Sequence, residues 1–301
     1  MSRLTKRLRY HKYMYLLMAP ALLVIFYFCY LPMAGIVMAF MDYNIVLSFA
    51  GSTWAGLNNF TKVLQLPEFL PAVFNTLKVS SLSIILSTFF AVTFALLLNE
   101  VRNKFLKRFT QTVSYLPYFI SWISVVGMAF VLYAIYGSLN DLRVFLLGPH
   151  TERLLFRSFQ WFFLPNILIL TLWRNTGFNS ILYLAAITAI DPQLYEAAHM
   201  DGAGRWQQMR YITLPGMLNT IIIILILNIG TLVFDNFELI YGMQNAYINF
   251  DVIQTLVFKY GIQGGNYSVS AALSLMQGLV SMILVVTANR ISNRLSKISL
   301  F

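Results

Sequence analysis

The stretch DPQLYEAAHMDGAGRWQQMRYITLP, residues 191–215, is a polar segment that separates two long apolar runs. Asp191 is a favourable N-cap residue, and the residues after it predict a short helix through 194–198. The aspartate and glycine at 201–202 should end that helix, because aspartate favours caps and glycine relaxes the backbone. A second helix is predicted through 206–212, and it leads directly into the next apolar run.

Small side chains give this segment a slim surface. They are Ala197, Ala198, Gly202, Ala203 and Gly204. A helix without bulky side chains can settle deeply into the groove of a partner protein. The alternative is an ordinary interfacial loop that lies against lipid headgroups, and the residues alone favour neither interpretation.

The regions on either side of this segment are strongly apolar. Of the 301 residues, 58% are hydrophobic and 11% are charged, whereas soluble domains average about 25% charged residues. This excludes a soluble enzyme, a disordered chain and a secreted disulfide-rich scaffold, and the single cysteine, Cys29, allows no internal disulfide. About 20 apolar residues in a helix cross a bilayer, and a helix satisfies its own backbone there. The predicted fold is therefore an all-α polytopic membrane protein with six transmembrane helices, at about 14–40, 74–98, 113–136, 161–186, 217–238 and 269–288.

The basic residues predict the orientation of these helices. Of the 21 lysines and arginines, 14 lie in the N-terminal tail, in the loops after the second and fourth windows, and at the C-terminal end. The positive-inside rule makes this side cytoplasmic, so both termini are predicted inside. The net charge of +10 thus indicates orientation and contact with anionic lipid rather than a nucleic-acid partner. The expected domains are a basic tail (1–13), a six-span membrane domain (14–290) that contains the 191–215 loop, and a C-terminal tail (291–301).

The sequence lacks the common catalytic motifs. It contains no Gly-Lys dipeptide, hence no Walker A phosphate loop, and neither a His-Glu-x-x-His pattern nor paired cysteines. Its three histidines all fall outside the predicted spans, which argues against an intramembrane enzyme. We predict no enzyme activity, cofactor or metal in this chain. Uphill transport would then draw its energy from a partner or from an ion gradient.

A longer pattern within residues 191–215 carries a family resemblance. It is similar to the EAA loop of the membrane subunits of binding-protein-dependent ABC importers, with matches at Glu196, Ala197, Ala198, Asp201, Gly202, Ala203, Ile212, Leu214 and Pro215. The flanks NEVRNKFLKRFTQTVSYLPYFISW (99–122) and YLAAITAIDPQLYEAA (183–198) resemble the oligosaccharide and polysaccharide permease branch of the carbohydrate-uptake importers, near the core of the maltose permease. The resemblance extends over about residues 13–294.

The resemblance implies a type I importer permease that works by alternating access. It implies a second six-span permease subunit, usually a different chain, so that the pair is a heterodimer. Two ABC ATPase subunits bind ATP and magnesium, and an extracellular or periplasmic solute-binding protein delivers the oligosaccharide. The implied location is a bacterial cytoplasmic (inner) membrane.

The same resemblance implies which residues couple the permease to the ATPase. They are Glu196, Ala197, Ala198, Asp201, Gly202, Ala203, Arg205, Ile212, Leu214 and Pro215. Glu196 is expected to pair with a basic residue of the ATPase, and Gly202 is expected to shape the loop. The alternative for Glu196 is an exposed helix charge that contributes little energy.

Polar residues within the predicted spans are candidates for a translocation pathway, because a polar group at bilayer depth usually faces a cavity or another helix. Arg174, Asn228 and Gln277 lie near the middle of their windows. The remaining candidates are Trp173, Asn175, Asn179, Tyr183 and Asn236. Amides suit sugar hydroxyls, rings suit apolar sugar faces, and Arg174 could hold an acidic sugar. The alternative makes Arg174 structural, paired with Asp235, Glu238 or backbone carbonyls.

Three other functions remain open from the sequence. One is an ABC importer permease for a non-sugar solute, which only the flanking resemblance disfavours. A second is an ion-coupled secondary transporter, which predicts inverted repeats and intramembrane carboxylates, whereas Asp235 and Glu238 lie only at the end of a window. The third, a membrane enzyme, lacks its catalytic residues. Pro20, Pro32 and Pro117 are predicted to bend their helices.

Overall fold

The computed structural model describes residues 10, 12–231 and 236–296, and these residues are mostly helical. The chain divides into two compact units. The first comprises Met1–Leu66 with Val257–Leu275, and the second comprises Pro67–Leu256 with Met276–Phe301.

The first unit contains the N-terminal apolar helix and a small hairpin. Its elements are α1 (Lys12–Ile25), which continues as a π turn (Phe26–Tyr30) and a 3-10 helix (Leu31–Phe40), then β1 (Met41–Asp42), α2 (Ser48–Gly51), β2 (Thr53–Trp54) and α3 (Asn58–Gln65), with a second π turn (Lys259–Gln263) from later in the chain. The two strands pair antiparallel. Asn59 is fully buried and donates to the carbonyl oxygens of Ala39 and Met41, at 3.1 and 2.9 Å. These bonds fasten α3 to the end of the N-terminal helix.

The N-terminal helix exposes its apolar side chains. None of the most apolar stretch within Lys12–Phe40 is buried, so this surface needs lipid or another subunit to cover it. Pro32 lies in the first turn of the 3-10 helix, where the helix type changes. Pro20 lies inside α1, and the helix continues through it.

The second unit holds the longest helices. Its elements are α4 (Phe69–Glu100), α5 (Lys104–Tyr115), a 3-10 turn (Leu116–Phe119), α6 (Trp122–Leu132), α7 (Ser138–Leu147), a 3-10 turn (Phe156–Ser158), α8 (Gln160–Thr188), α9 (Pro192–Met200), α10 (Arg205–Gln208), a π turn (Met209–Thr213), α11 (Leu214–Thr231), α12 (Phe237–Met243) and most of α13 (Ile253–Phe258). The last helix, α14 (Tyr267–Ser296), is divided between the units: it belongs to the first unit up to Leu275 and to the second from Met276.

Helix α8 is central to the packing of this unit. It lies along α4, and the two helices meet α11 in a cluster of Ala91, Ala95, Tyr183, Ile187 and Met217. A second and larger cluster joins α6, the first half of α8 and α12. The residues of α8 therefore face other helices on several sides.

The structure supports fewer spans than the six predicted windows. Within residues 12–231 and 236–296, four helices are long and apolar enough to cross a membrane, and the total is five if α5 and α6 form one bent span. Helix α8, which covers the window 161–186, is not among them. Its interior carries Asn166, Arg174, Asn175 and Asn179, and these polar residues lower its mean hydropathy.

Two of the predicted windows have the wrong boundaries. The window 113–136 is not one straight helix, because the chain bends by 99° between Lys104–Phe119 and Trp122–Leu132. The predicted bend at Pro117 is thus confirmed, and Pro117 lies in the 3-10 turn before it. The window 217–238 ends early: α11 is described to Thr231, and Asn236 has a left-handed φ of 71° that a right-handed helix cannot contain.

Candidate functional site

Residues 191–215 fold as two short helices joined by a tight turn, as predicted. Asp191 caps α9, since its Oδ1 accepts a hydrogen bond from the Gln193 amide at 2.9 Å. At the other end Gly202 has φ +78°. The Ala203 amide donates to the Ala198 carbonyl at 2.9 Å, and the Gly202 amide donates to the His199 carbonyl at 3.1 Å. This pair of bonds is a Schellman motif, which requires a left-handed residue at the position of Gly202.

The second half of the segment runs without a break into α11. The Gly204 amide donates to Gln207 Oε1 at 2.8 Å and starts α10. Gln208 Nε2 donates to the Ala203 carbonyl at 3.0 Å and closes the turn. The π turn then leads from α10 into α11.

A hydrogen bond ties the two short helices together. The hydroxyls of Tyr195, on α9, and Thr213, in the π turn, are 3.0 Å apart. Thr213 is buried, whereas Tyr195 is half-buried. This bond links α9 to the residue that directly precedes α11.

The turn forms one side of an open hollow of about 640 Å³. The lining residues come from the loop after α4, from α9, from the turn and from α10: Arg102, Tyr195, Glu196, His199, Gly202, Ala203, Gly204, Arg205 and Gln208. Arg205 lies 3.6 Å from a carboxylate oxygen of Glu100, at the end of α4. Glu196 is exposed and forms no ion pair with the described part of the chain. Its carboxylate is available to a partner.

The structure separates the predicted coupling residues into three groups. Ala197 and Ala198 lie in α9, and Asp201 is its C-cap. Glu196, Gly202, Ala203 and Arg205 line the hollow. Ile212, Leu214 and Pro215 lie in the π turn and the first turn of α11, where they shape the entry into the long helix. Two large apolar side chains near the turn, Met200 and Trp206, are 86% and 69% exposed.

Arg174 lies in the middle of α8, and its side chain contacts the bend between α5 and α6. Its Nε donates to the Ile120 carbonyl at 2.9 Å and its Nη1 donates to Asn175 Oδ1 at 3.2 Å. The guanidinium carbon lies 4.3 Å from the centre of the Trp122 ring and 5.2 Å from that of Tyr118. Arg174 therefore satisfies a carbonyl that the bend leaves without a helical partner. Glu238 does not pair with it, and Asp235 lies outside the described residues.

The other predicted pathway residues occupy different environments. Tyr183 is buried in the packing between α4, α8 and α11, which favours a structural role. Trp173 is 45% exposed, and Asn179 and Asn228 are half-buried. Asn236 and Gln277 are both buried. That all eight residues line a single translocation site stays a prediction.

Two features of this unit were missed by the sequence analysis. The first is Gly177, because a Cβ added there would lie 2.0 Å from the Ser114 carbonyl oxygen; a glycine inside a helical pattern was the available signal. The second is Arg157, whose guanidinium carbon lies 3.5 Å from the centre of the Phe130 ring. No local pattern in the sequence indicates that pairing.

Residues 83–297 match the family described as the inner membrane component of binding-protein-dependent transport systems. The chain belongs to this family. It is 41% identical over 296 residues to the polygalacturonan/rhamnogalacturonan transport system permease protein YteP of Bacillus subtilis, with 97% of this chain and 91% of that protein covered.

Two solved structures extend the match to the fold. A bacterial ABC transporter involved in the import of the acidic polysaccharide alginate gives a TM-score of 0.89 at 32% identity, over 98% of this chain and 100% of the other. A bacterial alginate ABC transporter in complex with a pentasaccharide-bound periplasmic protein gives a TM-score of 0.85 at 30% identity, over 99% and 100%. The permease thus has the type I ABC importer permease fold and is an integral membrane protein and a transport component.

Proposed function

We propose that this permease is one membrane subunit of an ATP-driven importer for an oligosaccharide or polysaccharide. The observation that carries the proposal is the match over nearly the whole chain to a polygalacturonan/rhamnogalacturonan permease and to an alginate importer. The proposed domains are a basic tail (1–13), a membrane domain (14–290) and a C-terminal tail (291–301). In a bacterial cytoplasmic membrane, α8 would be the sixth span, and both termini would face the cytoplasm, as the distribution of basic residues favours.

The proposed coupling surface is the hollow beside the 201–202 turn. It would receive an ATPase subunit, with Glu196 bound to a basic residue of that subunit and Met200 and Trp206 at the rim. Because α10 runs through the π turn into α11, closure of the ATPase dimer would move α11 and switch the access of the pathway. Two ATPase subunits would bind ATP and magnesium, and this chain would supply the surface that these subunits displace.

The other proposed partners complete the pathway. A second six-span permease subunit would cover apolar surface such as that of the N-terminal helix. A solute-binding protein would deliver the saccharide, which is supported by the alginate transporter solved with its pentasaccharide-bound periplasmic protein. The proposed pathway residues are Trp173, Arg174, Asn175, Asn179, Tyr183, Asn228, Asn236 and Gln277, with Tyr183 in a packing role.

Affinity purification from the native membrane tests the proposal first. Mass spectrometry should find a Walker A ATPase and a second six-span chain with the permease. The reconstituted complex should then take up at least one member of a panel of neutral and acidic oligosaccharides. A chain that purifies alone or as a homo-oligomer in mild detergent contradicts the proposal and turns attention to ion-driven transport.

The hydroxyl of Tyr195 offers a graded test of coupling. Tyr195→Phe removes the bond to Thr213, whose net contribution is about 1 kcal/mol, so the affinity of the permease for its ATPase should fall about fivefold. Titration of labelled ATPase onto the purified permease pair measures the change. The matched control is Tyr211→Phe, since Tyr211 lies in the same π turn and is 70% exposed. Equal affinities of the two variants would contradict the role given to this bond.

A further inference from the structure

Helix α5 and the turn after it present an apolar side to the outside of the unit. This side, the apolar strip, consists of five side chains that are between 51% and 79% exposed: Phe105, Leu106, Phe109, Val113 and Leu116. The opposite side is half-buried and polar, with Thr110, Gln111 and Ser114, and it lies against α8, where the Ser114 carbonyl approaches Gly177. An amphipathic helix in a water-soluble protein turns its apolar side inward instead. The outer side of α5 therefore requires an apolar surrounding.

Two cations border the apolar strip. Lys104 directly precedes Phe105, and Arg108 directly precedes Phe109, so that a cation followed by a phenylalanine occurs twice, one helical turn apart. The two phenylalanine rings are stacked, with their centres 6.4 Å apart and an angle of 13° between their planes. Residues four apart in a helix have Cβ atoms about 5–6 Å apart, which places the two cations side by side as well. Both are exposed, and neither forms an ion pair with any residue that the structure describes.

The start of α5 is fixed directly after a helix that can span a membrane. Helix α4 is long and apolar enough to do so and ends at Glu100. Asn103 caps α5, since its Oδ1 accepts hydrogen bonds from the amides of Phe105 and Leu106, at 2.9 and 3.1 Å. Arg102, just before the cap, is exposed and adds a third cation. A basic cluster that follows a span so closely lies at the level of the lipid headgroups.

The combination of cations and apolar strip indicates the chemistry of the partner. A water-soluble ATPase subunit would explain the cations but not the strip, which extends to Leu116, about 12 Å along the helix beyond Arg108. A second permease subunit would explain the strip but not the cations at its edge. An anionic phospholipid carries a phosphate and acyl chains in one molecule, and an amphipathic helix with basic and aromatic residues is typical of the surfaces that bind it.

We propose that α5 binds an anionic phospholipid, with the phosphate between Lys104 and Arg108 and the acyl chains against Phe105 and Phe109. This site goes beyond the proposed function and does not depend on the transported solute. Because Arg102 lines the hollow beside the 201–202 turn, the bound lipid would hold one wall of that hollow at the membrane surface.

Fluorescence quenching in the reconstituted complex tests the lipid site. The reporter is a bimane fluorophore on Thr112→Cys in a Cys29→Ser background, because Cys29 is the single cysteine and Thr112 is exposed one turn beyond Arg108. The vesicles are phosphatidylcholine with increasing amounts of brominated phosphatidylglycerol or, in parallel, of brominated phosphatidylcholine. Brominated phosphatidylglycerol should quench the fluorophore at an about tenfold lower fraction, since each of the two cations favours the anionic lipid.

Substitution of Arg108 shows whether the preference comes from this site. Arg108→Gln should reduce the preference for phosphatidylglycerol about fivefold, and Arg108→Lys should retain most of it. The matched control is Arg143→Gln in the same reporter protein, since Arg143 is an exposed arginine whose Nη1 donates to the Glu152 carbonyl at 3.1 Å. The control should keep the full preference.

The other outcomes contradict the lipid site. Equal preferences in Arg108→Gln and Arg143→Gln overturn it, as does equal quenching of the reporter protein by the two brominated lipids. Quenching by aqueous iodide but by neither lipid would assign the outer side of α5 to water or to the ATPase. Protection from all three quenchers would assign it to a protein such as the second permease subunit. All four results leave the proposed function intact.

Discussion

We expect Gly202→Val to separate the permease from its ATPase while the permease itself still inserts and folds. Gly202 has φ +78°, where a Cβ costs roughly 1–2 kcal/mol, and a β-branched residue there is an outlier. Open space surrounds the added Cβ, so the cost lies in the backbone alone. The turn must rearrange, and the hollow then loses its shape. The amount of ATPase that co-purifies should fall about tenfold or more, as measured by quantitative mass spectrometry.

Gly148→Val is the matched control for this experiment. Gly148 also has a positive φ, of 102°, and also has open space around its Cβ position, but it follows α7, far in sequence from the coupling segment. Both variants strain the backbone, at different places, and the control is at least as strained, because Gly148 with ψ 162° lies in a region that essentially only glycine adopts. Gly148→Val should keep its ATPase. Loss of the ATPase in both variants would mean that general destabilisation is the cause, and retention in both would contradict the role of the turn.

The coupling segment was predicted well because its structure depends on local chemistry. The cap at Asp191 and the break at residues 201–202 follow from the preferences of aspartate and glycine, and both are confirmed. The membrane character followed in the same way from continuous apolar runs. The bond between Tyr195 and Thr213 joins residues that are 18 apart in the sequence. A local sequence pattern could therefore predict neither this bond nor the detailed shape of the turn.

The predictions were weakest where packing overrides composition. Helix α8 was predicted as an ordinary span, but it is not among the described helices that are apolar enough to cross a membrane, and its inner face packs against α4, α6, α11 and α12. Its Arg174 was left open between a pathway role and a structural role. The structure shows that its Nε donates to the Ile120 carbonyl at 2.9 Å, beside the bend between α5 and α6. A proline in the sequence predicts a bend, but the bend angle of 99° depends on tertiary packing and cannot be predicted from the proline.

We expect Gly177→Ala to destabilise the membrane domain more than any other substitution that adds a single methyl group. The added Cβ would lie 2.0 Å from the carbonyl oxygen and 2.5 Å from the carbonyl carbon of Ser114. These are backbone atoms of α5, so no side chain can rotate away, and α5 and α8 must move apart. Overpacking of this kind costs about 3 kcal/mol. The unfolding temperature of the purified complex, followed by tryptophan fluorescence, should fall by about 6–10 °C.

Gly127→Ala separates this steric effect from the general effect of removing a helical glycine. Gly127 lies inside α6 with nothing within 4 Å of its Cβ position, and the change from glycine to alanine in a helix stabilises by roughly 1 kcal/mol. The two substitutions are chemically identical and should act in opposite directions. Since Gly177 lies three residues after Arg174, its substitution should also disturb the bond to Ile120 and lower the uptake of every saccharide alike. If Gly177→Ala unfolds at the same temperature as Gly127→Ala, the close approach of α5 to α8 does not support the bend.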